Sequence, residues 1–132
     1  MTFFIDTSGF LSILDADDKS HPRAKAKWED LISKGATLVC SNYILVETFA
    51  LIQHHIGMEA VRAFQEDIVP LITIEWVNEP IHQTGVMSML AADKKRLSLT
   101  DCISFNMMRR LGIKSAFAFD RHFKEQGFEC VP

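Results

Sequence analysis

Short runs of continuous apolar residues alternate with longer stretches of helical periodicity, and that alternation predicts an α/β fold. Phe3-Phe4-Ile5 is apolar on successive positions, as a strand covered on both faces would be, and Ser115-Ala116-Phe117-Ala118-Phe119 repeats the signature. Ala36 to Cys40 reads as a second strand, Leu71 to Val77 alternates as a third, and Phe128 to Val131 closes the chain as an edge strand. Between them lie helical patterns. Gly9 marks a turn into a short helix, Phe10 to Leu14, which is followed by the acidic loop Asp15 to Asp18. Ser20 and Pro22 open a helix carrying Ala24, Trp28, Leu31 and Ile32, which Gly35 ends. Ser41 to Ile52 is a strongly apolar helix, Gln53 to Gly57 a turn, and Met58 to Ile68 a helix stopped by Pro70. Asn78 caps a helix bearing Ile81, Val86, Met89 and Leu90, and the charged connection Asp93 to Leu97 follows. Ser98-Leu99-Thr100-Asp101 then has the form of a capping box opening a helix over Ile103, Phe105, Met107, Met108 and Leu111, which Gly112 ends. Arg121 to Gly127 reads as a turn.

Strands separated by helices imply right-handed crossovers and a parallel sheet, so the carboxyl ends of the strands share one rim. Two of those ends deliver an acid, Asp6 after Phe3-Phe4-Ile5 and Asp120 after Phe117-Ala118-Phe119. Helix starts lie at the same rim, which adds Asp101. Two of these acids also have a plain structural reading: Asp6 would cap the helix that follows it, and Asp101 would be favoured at a helix start by about 0.3–1 kcal/mol without any function. Glu47 is harder to account for structurally, because Ile44, Leu45, Val46, Leu51 and Ile52 surround it and no cation is near in sequence.

At 132 residues, the chain fits a single domain, residues 1–132. Hydrophobic residues are 48% and charged residues 23%, an ordinary soluble composition. No apolar run has the length of a bilayer span and no basic-then-apolar leader opens the sequence, so no membrane association and a cytoplasmic location are expected. Cys40, Cys102 and Cys130 show no ligand spacing and read as reduced thiols. A net charge of −3 argues against a general nucleic-acid coat, but the charge is uneven. Residues 1–92 hold 6 Lys and Arg against 12 Asp and Glu, whereas residues 93–132 hold 8 against 5. Phosphate contacts are therefore expected in the C-terminal third, from Lys94, Lys95, Arg96 and Arg121 in particular. Adjacent His54 and His55 read as surface residues.

Asp6, Glu47, Asp101 and Asp120 facing one cleft cannot all remain ionised unless their pKa values rise or a cation binds. An all-oxygen set without Cys or His points to a hard divalent ion, Mg²⁺ or Mn²⁺, and to phosphoryl-transfer chemistry. A receiver or haloacid-dehalogenase-like phosphotransfer domain also uses strand-end Asp residues. The latter requires an Asp where this chain has Ser8, and no Lys closes a strand.

Four segments in order resemble the PIN-domain ribonucleases, and more narrowly the VapC-type toxins of toxin–antitoxin pairs. They are Ile5-Asp6-Thr7-Ser8, Asn42 to Thr48, Leu97 to Phe105, and Ala118-Phe119-Asp120-Arg121-His122-Phe123, and they span nearly the whole chain. The resemblance implies a three-layer α/β/α fold, a doubly wound and mostly parallel sheet of about five strands flanked by helices. It implies cleavage of RNA dependent on Mg²⁺ or Mn²⁺, frequent homodimers, and inhibition by a cognate antitoxin. Asp6, Asp101 and Asp120 then look like metal ligands, Glu47 like the fourth acid, and Thr7 and Thr100 like hydroxyls that orient those carboxylates. Ala118 departs from the Thr that many relatives carry. The alternative is a catalytically silent PIN-like module that binds RNA or protein, since fold does not by itself confer activity.

Overall fold

The computed structural model describes residues 1–132. Its five strands are β1 (Thr2–Ile5), β2 (Thr37–Ser41), β3 (Thr73–Glu75), β4 (Ser115–Phe117) and β5 (Glu129–Val131). They form one sheet in the order β3-β2-β1-β4-β5, every pair parallel. The expected mostly parallel sheet is thus wholly parallel. The helices are α1 (Thr7–Leu14), α2 (His21–Ser33), α3 (Asn42–His55), α4 (Met58–Ala63), α5 (Glu79–Ala92), α6 (Leu99–Leu111) and α7 (His122–Glu125). Chain travel runs from β1 to β3 on one side, then returns past β1 to β4 and β5. Right-handed crossovers therefore place α1 to α4 on one face and α5 to α7 on the other. Packing agrees, with α1 against α2 and α3, α3 against α4, and α5 against α6.

Phe3, Phe4 and Ile5 are all buried, as a doubly covered strand requires. On one face, Phe10 of α1 and Phe49 of α3 each meet Phe64 edge-on at 5.0 Å between ring centroids. Across the sheet, Phe105 of α6 packs edge-on to Phe123 of α7 at 5.0 Å, and Phe4 lies 6.4 Å from Phe123. The two aromatic groups anchor opposite helical layers to the sheet. No helix is long and apolar enough to cross a membrane. All three cysteines are free, and burial pushes the Cys40 thiol well up, which makes it unreactive.

Several boundaries differ from the sequence expectation, each for a local reason. Helix α3 continues through His54 and His55, where a turn was expected, because Ile56 still donates its N–H to the Ile52 carbonyl. The segment expected as one helix from Met58 to Ile68 divides at Phe64 into α4 and a π-helical turn, closed by the Val69 N–H on the Phe64 carbonyl. Pro70 follows in a 3₁₀ turn, Val69–Leu71. Strand β3 is only Thr73–Glu75, since the Val77 N–H is taken by Asn42 Oδ1 at 2.7 Å instead of a strand partner. Residues 121 to 127 contain a short helix, α7, in place of a simple turn.

Candidate active site at the carboxyl ends of β1 and β4

The chain reverses its direction across the sheet between β1 and β4, and in open α/β sheets the crevice above such a reversal is where ligands bind. Asp6 stands there. Its N–H donates to the Phe117 carbonyl at 3.1 Å, so the residue extends the β1–β4 ladder by one step. Its carboxylate caps α1, accepting from the Ser8 N–H at 3.2 Å and the Ser8 hydroxyl at 2.6 Å. The same Ser8 hydroxyl accepts from the Phe119 N–H at 2.9 Å. One side chain thereby fixes the first acid and ties it to the backbone preceding Asp120. Asp6 is only 5% exposed, and its pKa is pushed up to about 6. Burial is the main cause, opposed by the two Ser8 hydrogen bonds and reinforced by the nearby charges of Asp101 and Asp120.

Gly9 lies inside α1, not in a turn before it, and close approach explains the residue. A Cβ there would lie 2.5 Å from the Phe117 carbonyl oxygen, the acceptor that holds Asp6. Gly9→Ala should therefore destabilise the fold by about 1–3 kcal/mol, the usual cost of overpacking, although Ala is the better helix former. Urea unfolding checks this, and a variant as stable as wild type would remove the close-packing account.

Asp101 occupies the third position of α6, and both arms of the expected capping box are present. Its N–H donates to Ser98 Oγ at 3.0 Å, and its carboxylate accepts from the Ser98 N–H at 3.1 Å. Its pKa is nonetheless raised, first by burial and then by the charge of Asp120, against the lowering effects of Ser98 and His122. Burial would act on any cap so placed, whereas the charge of Asp120 is an addition that a cap does not need. Asp120 does not end a strand, as expected, but stands three residues beyond β4. The Ala118 N–H still donates to the Val131 carbonyl of β5, and the ladder stops there because the Phe119 N–H is taken by the Ser8 hydroxyl. Asp120 is held by a local turn in which its Oδ1 accepts from the His122 N–H at 2.9 Å.

That turn brings in a residue absent from the predicted site. His122 Nδ1 lies 3.1 Å from Asp120 Oδ1 and 3.8 Å from Asp101 Oδ2. Neither approach has hydrogen-bond geometry, so Nδ1 is a buried ring nitrogen without a partner. One donor atom each from Asp101, Asp120 and His122 falls within a mutual distance of 4.8 Å, close enough to share a metal ion.

Asp6, near enough to feel the charges of Asp101 and Asp120, is outside this tight set, and so is Glu47. It is half-buried on α3 and faces a pocket of about 310 Å³ shared with Asn42, Tyr43, Val46 and Thr100. Burial of the helix falls on Ile44, Leu45, Thr48 and Ile52 while Val46 is exposed, so the costly isolated burial expected of Glu47 does not arise. The orienting role expected of Thr7 and Thr100 falls to Ser8 and Ser98. The Thr7 hydroxyl instead accepts from Thr48 at 3.2 Å, joining α1 to α3, and Thr100 offers its carbonyl to the Ser104 hydroxyl at 2.8 Å.

The cations do converge. Lys94, Lys95, Arg96 and Arg121 line one pocket of about 350 Å³ together with His122. Arg121 pairs with Glu125 at 3.5 Å in an exposed contact, and no carboxylate pairs with the other three. His122 thus belongs to both the acidic cluster and the basic pocket.

The profile of the PIN domain matches residues 3–129. The chain belongs to the PIN-domain family. Among PIN-domain relatives, the chain is 32% identical over 126 residues to the 23S rRNA-specific endonuclease VapC20 of Mycobacterium tuberculosis, covering 95% of this chain and 94% of that protein. The crystal structure of that protein, described as a sarcin–ricin loop cleaving toxin, superposes with a TM-score of 0.86 at 31% identity, covering 98% of this chain and 99% of the other. A VapC ribonuclease of Aquifex aeolicus is 22% identical over 127 residues, covering 96% and 93%. VapBC2 of Rickettsia felis, solved on a DNA fragment from its promoter, shares the fold with a TM-score of 0.71 at 10% identity, covering 98% and 97%.

Proposed function

We propose that this PIN-domain chain is a metal-dependent endoribonuclease that hydrolyses RNA phosphodiester bonds and acts as the toxin of a toxin–antitoxin pair. What carries the proposal is the cluster of Asp101 and Asp120 beside the β1–β4 reversal, with buried Asp6 near enough to feel both charges, supported by near full-length similarity to an endonuclease. The donor set fits a divalent cation. Two carboxyls, Asp6 and Asp101, have pKa values raised by burial first and by neighbouring charge second, and the His122 ring nitrogen lacks a hydrogen-bond partner. In this reading Asp6, Asp101 and Asp120 hold Mg²⁺ or Mn²⁺, and Glu47 supports the same cleft from α3, across the pocket it shares with Thr100. When bound, the ion supplies an activated water and offsets charge on the in-line transition state. The chain's own residues do the rest. Ser8 and Ser98 keep the carboxylates aimed, and Lys94, Lys95, Arg96 and Arg121 hold phosphates beside them. A cognate antitoxin protein and a second copy of the chain are the partners this function implies.

Incubating purified chain with ribosomal RNA and Mg²⁺ or Mn²⁺, then mapping the RNA ends, tests the proposal. The name of VapC20 makes 23S rRNA the first substrate to try. Discrete cuts that EDTA abolishes and added metal restores are expected. Binding without cleavage would instead identify a silent module, and cutting that survives rigorous metal removal would overturn the metal-dependent chemistry.

The basic pocket has its own expected result. Replacing Arg96 or Arg121 by Ala should weaken RNA binding and reduce the slope of log K against log salt by about 0.7 for each lost phosphate contact on a single strand. Fluorescence titration in EDTA at several salt concentrations measures this; unchanged slopes in both variants would move the phosphate grip elsewhere.

A further inference from the structure

We propose that His122 supplies a nitrogen ligand to the metal, so that the site selects Mn²⁺ over Mg²⁺; this rests on the metal-dependent reading above. Three observations converge on it. The Nδ1 atom of His122 is buried and unpartnered, an arrangement that is unfavourable unless something else occupies its lone pair or its proton. Its spacing suits coordination. With metal–ligand bonds of about 2.1 Å in an octahedral site, adjacent ligand atoms lie about 3.0 Å apart and opposite ones about 4.2 Å. Nδ1 stands 3.1 Å from Asp120 Oδ1, close to an adjacent pair, and 3.8 Å from Asp101 Oδ2, between the two values.

The third observation is that this spacing is built in. The His122 N–H is already bound to Asp120 Oδ1 at 2.9 Å, so the turn that presents the carboxylate also presents the ring. His122 packs at the start of α7, whose neighbouring Phe123 is fully buried against Phe4 and Phe105. That packing anchors the backbone of α7 and with it the position from which the ring reaches the cluster. Selectivity follows from the ligand chemistry. Both ions are served by carboxylates and water, but Mg²⁺ is the harder and keeps to oxygen, whereas Mn²⁺ is a transition-metal ion that takes a nitrogen more readily, so a nitrogen in the set favours Mn²⁺ over Mg²⁺.

A rival account makes His122 an imidazolium that balances Asp101 and Asp120 without touching a metal. Electron spin-echo envelope spectra of Mn²⁺ bound to the whole chain separate the two. Unlabelled protein should show ¹⁴N modulation, protein grown with ¹⁵N-histidine should replace it with ¹⁵N modulation, and His122→Gln should lose it. By calorimetry, His122→Gln should lower Mn²⁺ affinity at least about tenfold, the lower end of the effect of disturbing a metal ligand's support, and leave Mg²⁺ affinity within about twofold. The labelling comparison uses wild-type protein, so it stands even if the variant fails to fold. Identical spectra from labelled and unlabelled wild type would overturn the nitrogen ligand and leave the ribonuclease reading intact. Failure of both Mn²⁺ and Mg²⁺ to bind would overturn both.

Discussion

Replacing Asp101 by Asn should lower RNA cleavage by about two to three orders of magnitude while the protein remains folded, because the substitution removes a charge and little else. The backbone arm of the capping box, Asp101 N–H to Ser98 Oγ, does not involve the side chain, and an Asn oxygen can still accept from the Ser98 N–H. What disappears, on the proposed function, is a charge that would hold the metal ion, and the ion's polarising effect on the transition state is worth several kcal/mol. In EDTA the variant should be more stable than wild type at neutral pH. Burial and Asp120 raise the Asp101 pKa in the folded protein, so the ionised side chain opposes folding there, and the measured sign sets this against a lost helix-dipole interaction of about 0.3–1 kcal/mol. Single-turnover cleavage and urea unfolding on one preparation decide the matter. A variant that cuts RNA at the normal rate and is less stable in EDTA would reduce Asp101 to a helix cap.

The parts of this site that were legible in the sequence are those set by local chemistry. Ser98 and Asp101 are three residues apart and form the capping box their spacing predicts. Phe3-Phe4-Ile5 places Asp6 at the rim because a strand buried on both faces has only its ends free. A parallel sheet puts the carboxyl ends of β1 and β4 at one rim, which made Asp6 and Asp120 candidates for one site, whereas the order β3-β2-β1-β4-β5 that makes the two strands neighbours comes from the structure. What could not be read depends on contacts between distant segments. Ser8 looked like a turn residue, yet its function is to join Asp6 to Phe119, 111 positions away. Gly9 likewise answers to Phe117 and not to its neighbours. For His122 a signal was available: an Asp two residues before it can accept its N–H, which places the ring beside that carboxylate. Glu47 misled in the other direction. Apolar flanks suggested deep burial, but the helix turns Val46 outward and leaves the carboxylate half-buried.

Asp6 carries the second large effect, in the pH dependence of folding. Its pKa rises from 3.8 to about 6 on folding, chiefly through burial, so the folded state binds a proton more tightly than the unfolded chain. The stability this contributes is fully present below about pH 4 and is lost as pH rises through about 6. At 1.36 kcal/mol per pKa unit the loss is about 3 kcal/mol, and with Asp6 5% exposed there is little solvent to screen it. Asp6→Asn should keep the α1 cap, since Asn serves as well at that position, and should remove the titration. In EDTA the two proteins should therefore have similar stability near pH 4 and diverge above it, the variant becoming the more stable by about 3 kcal/mol at pH 8. Excess Mn²⁺ should reverse the order at pH 8, because a cation that binds only the folded wild type adds to its stability in proportion to the logarithm of its concentration over Kd. Below pH 6 that advantage should shrink, as protons compete with metal for the same carboxylate. Urea midpoints from pH 4 to 8, with and without Mn²⁺, give the difference between wild type and variant directly, which cancels the titration of every other group. A difference that stays flat with pH in EDTA would mean that Asp6 is not the strained, buried acid of this cluster, and the site would have to be rebuilt around Asp101, Asp120 and His122 alone.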